Sequence, residues 1–220
     1  MLSTISKKYV MGLTGLFLIS FLIVHCSINA LIFVNDEGEL FNKAAHFMST
    51  NILIRIMEIG LFVGILLHII DALVLYFKNR KSRPVAYEVS AGTANSKWYS
   101  RNMGILGSMI LFFLVIHLAH FWYVSRFGPL RDVIYDDSHY HDLYTEMLVV
   151  FSNPLWVVVY IFSMIALAYH LMHGFQSAFQ TLGFNHKKYT PIIKKMGFVF
   201  SVIVPMIFAA MPIFLYFIKK

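Results

Sequence analysis

The chain has 220 residues, of which 59% are hydrophobic and 13% charged, far from the half-apolar, quarter-charged composition of soluble globular domains. Its formal charge of +7 does not point to nucleic acid, because Lys and Arg crowd beside long apolar runs and leave little soluble surface. The one cysteine, Cys26, lies inside such a run, which excludes an intramolecular disulfide and fits a small buried hydrophobe.

Five apolar stretches are long enough to cross about 30 Å of hydrocarbon at about 1.5 Å per residue. They cover 10–34, 52–77, 103–124, 155–179 and 196–218. The first is too long for a signal-peptide core and lacks a small-residue cleavage site, so it reads as a retained membrane span. Pro154 stands at the first turn of the fourth span, where a missing N–H costs little. Pro205 and Pro212 fall inside the fifth and are expected to kink it.

The connecting segments alternate in charge. Lys7 and Lys8 precede the first span, Lys78, Arg80, Lys81, Arg83, Lys97 and Arg101 fill the second loop, and Lys187, Lys188, Lys194 and Lys195 fill the fourth. Asp36, Glu37 and Glu39 occupy the first loop, and Asp132, Asp136, Asp137, Asp142 and Glu146 the third. The positive-inside rule then places the N-terminus in the cytoplasm, and Lys219 and Lys220 at the far end do not outweigh two whole basic loops. The loops are too short for an independent core, so 1–220 is expected to form one transmembrane domain. Chemistry on a water-soluble substrate then belongs to another chain.

Histidine recurs inside four of the spans: His25, His68, His117 with His120, and His170 with His173. Ionisable residues at membrane depth are costly and by default mark function, and neutral imidazole is a common metal ligand. Helical rise places His25 and His117 roughly 20 Å from the basic side, and His68 and His170 roughly 14 Å from it. Two pairs at two depths, each drawn from two helices, suit bis-histidine ligation of two haems. The rival readings of the same residues are interhelical hydrogen bonds, a zinc site or a proton relay. His120 and His173 lie nearer the two interfaces, where hydrogen bonding to propionate or quinone suits them better than ligation.

The ordered matches along the chain resemble the single-chain, di-haem cytochrome b subunit of succinate dehydrogenase and fumarate reductase. They are Thr14, Gly15, Leu16, Phe17 and Leu18 succeeded by Val24 and His25 in the first span, and 41–48 before the second. Next come His68 between Leu67 and Ile69, the run 111–117 ending in His117, and Tyr169, His170, Gly174, Leu182 and Gly183 in the fourth. The resemblance implies an all-α, five-helix, haem-binding bundle with two b haems, on His25 with His117 and on His68 with His170. It also implies a flavoprotein subunit that oxidises succinate, an iron–sulfur subunit, a quinone (menaquinone) as membrane electron acceptor, and a place in a bacterial cytoplasmic (inner) membrane. On this reading the chain is the membrane subunit of complex II, able to join a higher oligomer, in a respiratory chain fed by the tricarboxylic acid cycle.

Placement picks out the supporting residues. Ser6, Lys8, Arg101 and Asn102 stand at the basic ends of helices, where charge-assisted bonds to haem propionates would form, and ordinary interfacial anchoring is the alternative. His46, Lys43 and Glu58 are the candidates for a quinone site at the other side, with an interhelical hydrogen bond the alternative for Glu58. Asp71, three residues after His68, is expected to bond a nearby basic group. Ala168 stands where some fumarate-reducing relatives carry an acid, which argues against that form of coupled proton movement. The remaining alternatives are a cytochrome b anchor of a hydrogenase or formate dehydrogenase, a histidine-lined proton or ion transporter, and a cofactor-free anchor.

Overall fold

The computed structural model describes residues 4–81 and 96–218. Arg83, Lys219 and Lys220, counted in the charge pattern above, lie outside the described residues. The order is α1 (Thr4–Asn29), continued by a 3-10 turn at Ala30–Phe33, then α2 (Glu39–Thr50), α3 (Ile52–Lys81) and the short α4 (Trp98–Arg101). α5 (Met103–His117) runs through a π-helical turn at Leu118–Tyr123 into α6 (Val124–Phe127). A hairpin of β1 (Asp132–Tyr135) and β2 (Ser138–His141) precedes α7 (Leu143–Phe151), α8 (Pro154–Thr181) and α9 (Thr190–Ile218).

Five helical segments are long and apolar enough to cross a membrane, and they form a helical bundle. Four of the five apolar runs lie within longer helical segments, and the first overruns its segment by one residue, Val34; α1 starts early enough to include Lys7 and Lys8, and α3 continues through Lys78, Arg80 and Lys81. Helical hydrogen bonding continues past the hydrocarbon boundary, whereas hydropathy marks only the apolar part. α8 packs chiefly on α9 and also on α1 and α5, while α1 packs on α3. Few side chains of α1, α3 and α5 are buried in the isolated chain, as contact with lipid requires.

Local chemistry sets the helix ends. Asn153 accepts from Leu155 N (2.9 Å) ahead of Pro154, an N-cap with proline at the first helical position. At the other end of α8, Gly183 adopts φ +88°, Gly183 N bonds Gln180 O, and Phe184 N bonds Phe179 O. The Phe179 and Phe184 rings meet 6.0 Å apart, completing a Schellman stop that turns the chain back into α9. Pro205 and Pro212 are buried within α9.

The acidic loops, expected to be too short for an independent core, build a cap on the bundle. α2, the hairpin and α7 close one end of the bundle, with Ile32, Phe41, Tyr144, Met147, Phe151, Val157, Tyr160, Met211 and Leu215 forming a buried cluster under it. Fully buried Asn42 ties the cap together. Its Nδ2 donates to Tyr135 Oη (3.2 Å) and Asp142 Oδ1 (3.0 Å), and its Oδ1 accepts from Tyr144 N (2.9 Å). Gly38 turns at φ +85° directly beneath the Tyr144 ring, where a Cβ would come within 2.2 Å of a ring carbon. The main apolar cluster therefore sits at the capped end of the bundle.

Candidate functional site

Four spanning helices each contribute one histidine to two facing pairs. His25 of α1 and His117 of α5 have ring centroids 5.7 Å apart at 88°. His68 of α3 and His170 of α8 have centroids 6.4 Å apart at 63°. Helix α1 relates the two levels, because Thr14 contacts His68 whereas His25 lies eleven residues further on, roughly 16 Å along the axis.

The surroundings of the two pairs differ. Around His25 and His117 the wall is aromatic: Phe21 stacks on His25 at 5.1 Å, Phe113 on His117 at 5.5 Å, and Phe208, Phe121 and Tyr160 complete it. Around His68 and His170 the helices present glycine. A Cβ on Gly15 would stand 3.8 Å from His68 Cε1, one on Gly107 would stand 3.9 Å from His170 Cε1, and one on Gly174 would meet open space.

Hydrogen bonding is as uneven. His68 Nδ1 lies 3.1 Å from Thr14 Oγ1, and His25 Nδ1 lies 3.3 Å from Asn29 Nδ2. The buried Nδ1 atoms of His117 and His170, one in each pair, have no hydrogen-bond partner among the described residues. An unsatisfied buried nitrogen costs about 1–3 kcal/mol.

His25 with His117 and His68 with His170 would hold haem, which would supply one-electron redox chemistry there. Each pair is drawn from separate helices, with ring centroids 5.7 and 6.4 Å apart, as residues that would share one metal-bearing group need to be. Imidazoles lacking partners, aromatic walls and side-chain-free glycine positions suit a flat apolar macrocycle. A structural zinc site takes four ligands, and among the described residues no group of three or more His, Cys, Asp or Glu is assembled to hold a metal.

The other sequence candidates fall into three settings. His120 Nδ1 pairs with Tyr160 Oη at 3.1 Å, and its ring stands edge-on to Trp156 at 4.6 Å, while His173 is half-buried one turn from His170. At the basic end Ser6 is half-buried and Lys8 exposed, and Lys8 borders a shallow pocket of about 320 Å³ with Tyr9, Ser177 and Gln180. Arg101 donates to the Ser96 carbonyl, and Asn102 Nδ2 donates to Trp98 O at 2.9 Å. Asp71 is buried, and its Oδ2 has no hydrogen-bond partner among the described residues, so the expected bond from a basic group does not form at that oxygen.

At the capped end the three quinone candidates separate. Glu58 has both oxygens engaged: Oε1 accepts from Trp122 Nε1 (2.7 Å), and Oε2 accepts from Arg55 Nη1 (2.5 Å) and Arg126 Nη2 (2.9 Å). Lys43 is held by Glu39 (2.6 Å) and Asp136 (2.5 Å), and hydrogen bonds to Asp136 and then Glu39 raise its ammonium above the ordinary lysine range. His46 alone of the three keeps a buried, unpartnered Nδ1, with its ring edge-on to Tyr140 at 5.1 Å.

Sequence reasoning missed Asn29, Trp122, Arg126 and Tyr160. The isolated acid Glu58 within an apolar span did signal a hydrogen-bond partner, and Arg55 at three residues' distance was visible. Arg126 was not, because the π turn inserted after His117 resets the helical register of residues 124–127. Beyond His117 the side chain of His120 meets α8, whereas Trp122 and Arg126 reach α3.

Fold and site together define a multi-pass helical membrane protein with two facing histidine pairs inside its bundle. Comparison with known proteins found no matching family model, no similar curated protein and no similar solved structure.

Proposed function

We propose that this chain is the membrane-anchor cytochrome b subunit of a succinate:quinone oxidoreductase, carrying electrons between an iron–sulfur subunit and menaquinone. The observation that carries the haem reading is the meeting of two histidine pairs, from four helices, at two levels of one bundle. The assignment to succinate rests on the ordered resemblance along the sequence. His25 with His117 and His68 with His170 hold two b haems. Bound haem supplies one-electron redox chemistry, and the protein supplies ligands, spacing and a low dielectric.

The chain's own residues divide the remaining work. The basic end, with Lys7, Lys8, Lys97 and Arg101, is the cytoplasmic face on which the flavoprotein and iron–sulfur subunits dock. Ser6, Lys8, Arg101, Asn102 and His173 lie toward that end as donors for propionates of the nearer haem. His46, with its free buried nitrogen, is the preferred quinone contact at the capped end. Reduction of one quinone there takes two electrons and two protons and yields the quinol. Glu58 and Lys43, already saturated by ion pairs, hold the architecture around that site.

The test is co-purification of the complex from the native membrane, then a succinate–quinone reductase assay. Recovery with a flavoprotein and an iron–sulfur protein, and succinate-dependent quinone reduction, is the expected result. Recovery with hydrogenase or formate dehydrogenase subunits overturns the succinate assignment.

A further inference from the structure

We propose that Thr14 is the positioning residue that selects the ligating nitrogen of His68, so that its hydroxyl tunes one haem and not the other. The inference rests on the haem reading above and extends it to a residue outside the ligand set. Thr14 Oγ1 lies 2.8 Å from Val10 O and 3.2 Å from Met11 O, both carbonyls of its own helix. Its one hydrogen goes to the nearest acceptor, Val10 O, which leaves the oxygen to accept from His68 Nδ1–H at 3.1 Å. His68 must then carry its hydrogen on Nδ1, which leaves the lone pair on Nε2 for a metal. The adjacent Gly15 faces the same ring, where a Cβ would stand 3.8 Å from His68 Cε1 in ordinary contact.

The other three rings have no such acceptor among the described residues. The Nδ1 atoms of His117 and His170 are unpartnered. Asn29 Nδ2, an amide nitrogen able only to donate, faces His25 Nδ1 at 3.3 Å and also donates to His25 O at 2.8 Å. An acceptor on the far N–H fixes the tautomer and ring orientation of a metal-bound imidazole and raises its basicity. Stronger donation favours the oxidised metal, so Thr14 lowers the potential of the haem held by His68 and His170.

The test is a redox titration of the purified holoprotein, monitored spectroscopically, in wild type, Thr14→Val and Thr14→Ser. Thr14→Val replaces the hydroxyl with a methyl group of similar size. It is expected to shift upward, or to abolish, only the redox step that His68→Ala abolishes, and Thr14→Ser should restore the wild-type curve. If Thr14→Val titrates like wild type, the inference is wrong while the haem reading stands. If Thr14→Ser fails alongside Thr14→Val, the residue serves packing and the hydroxyl has no special role, which also overturns it. A wild-type protein that holds no haem instead sinks the functional reading beneath it.

Discussion

His25 and His117, 92 positions apart in the sequence and carried on helices α1 and α5, meet edge to face with ring centroids 5.7 Å apart. A second pair, His68 and His170, meets lower on the same bundle. Under the proposed function the pairs lose haem as units. His25→Ala and His117→Ala should each remove the same haem, and His68→Ala and His170→Ala the other, measured as haem per chain after purification. His120→Ala and His173→Ala should retain both haems. Loss of a haem from either, with its neighbouring candidate ligand dispensable, would contradict the ligand assignment.

Asn42 carries the cap. Replacing it with Leu leaves Asp142, Tyr135 and the Tyr144 N–H without the amide that now joins them. The expected cost is about 2–3 kcal/mol of stability, since buried groups lose their partners. Thermal unfolding in detergent should show the loss, and an unchanged midpoint would contradict it.

Glu58 is the only acid bonded to Arg55 and Arg126 among the described residues, and Trp122 secures its other oxygen. Glu58→Leu should destabilise the protein by about 2 kcal/mol, below the cost of breaking a fully buried pair because Arg55 is 42% exposed. A substitution of Glu58 that abolished quinone reduction without any loss of stability would instead place Glu58 in the quinone site. His46→Ala is expected to impair quinone reduction while leaving both haems and the unfolding midpoint near wild type.

Alkaline pH should loosen the cap. Lys43 has its protonated form favoured by Asp136 and Glu39, and burial, with Asp36 and Glu37 nearby, raises the Tyr144 hydroxyl above its usual value. In both cases the folded state holds its proton at a pH where the unfolded chain has released it, so stability falls as pH rises beyond about 10. Below that range both groups are protonated in either state and contribute no slope. Unfolding midpoints measured across this pH range should decline less steeply in Tyr144→Phe than in wild type.

The spans were legible because a bilayer demands long apolar runs, and helical rise alone was enough to match His25 with His117 and His68 with His170 in depth. Those are the rings the structure brings together. The cap was hidden for two reasons. Its elements are short, and they are held by contacts such as Asn42 to Tyr144 that join residues about a hundred positions apart. The π turn after His117 was also hidden, because hydropathy does not record a shift in helical register. For the same reason nothing in the sequence marked Arg126 as a partner of Glu58.

The central claim is that the two histidine pairs hold haem, and the absorption spectrum of the purified, dithionite-reduced chain tests it most directly. A b-type α band and two haems per chain are the expected result. A spectrum with no such band, from protein that is folded and helical, would contradict it.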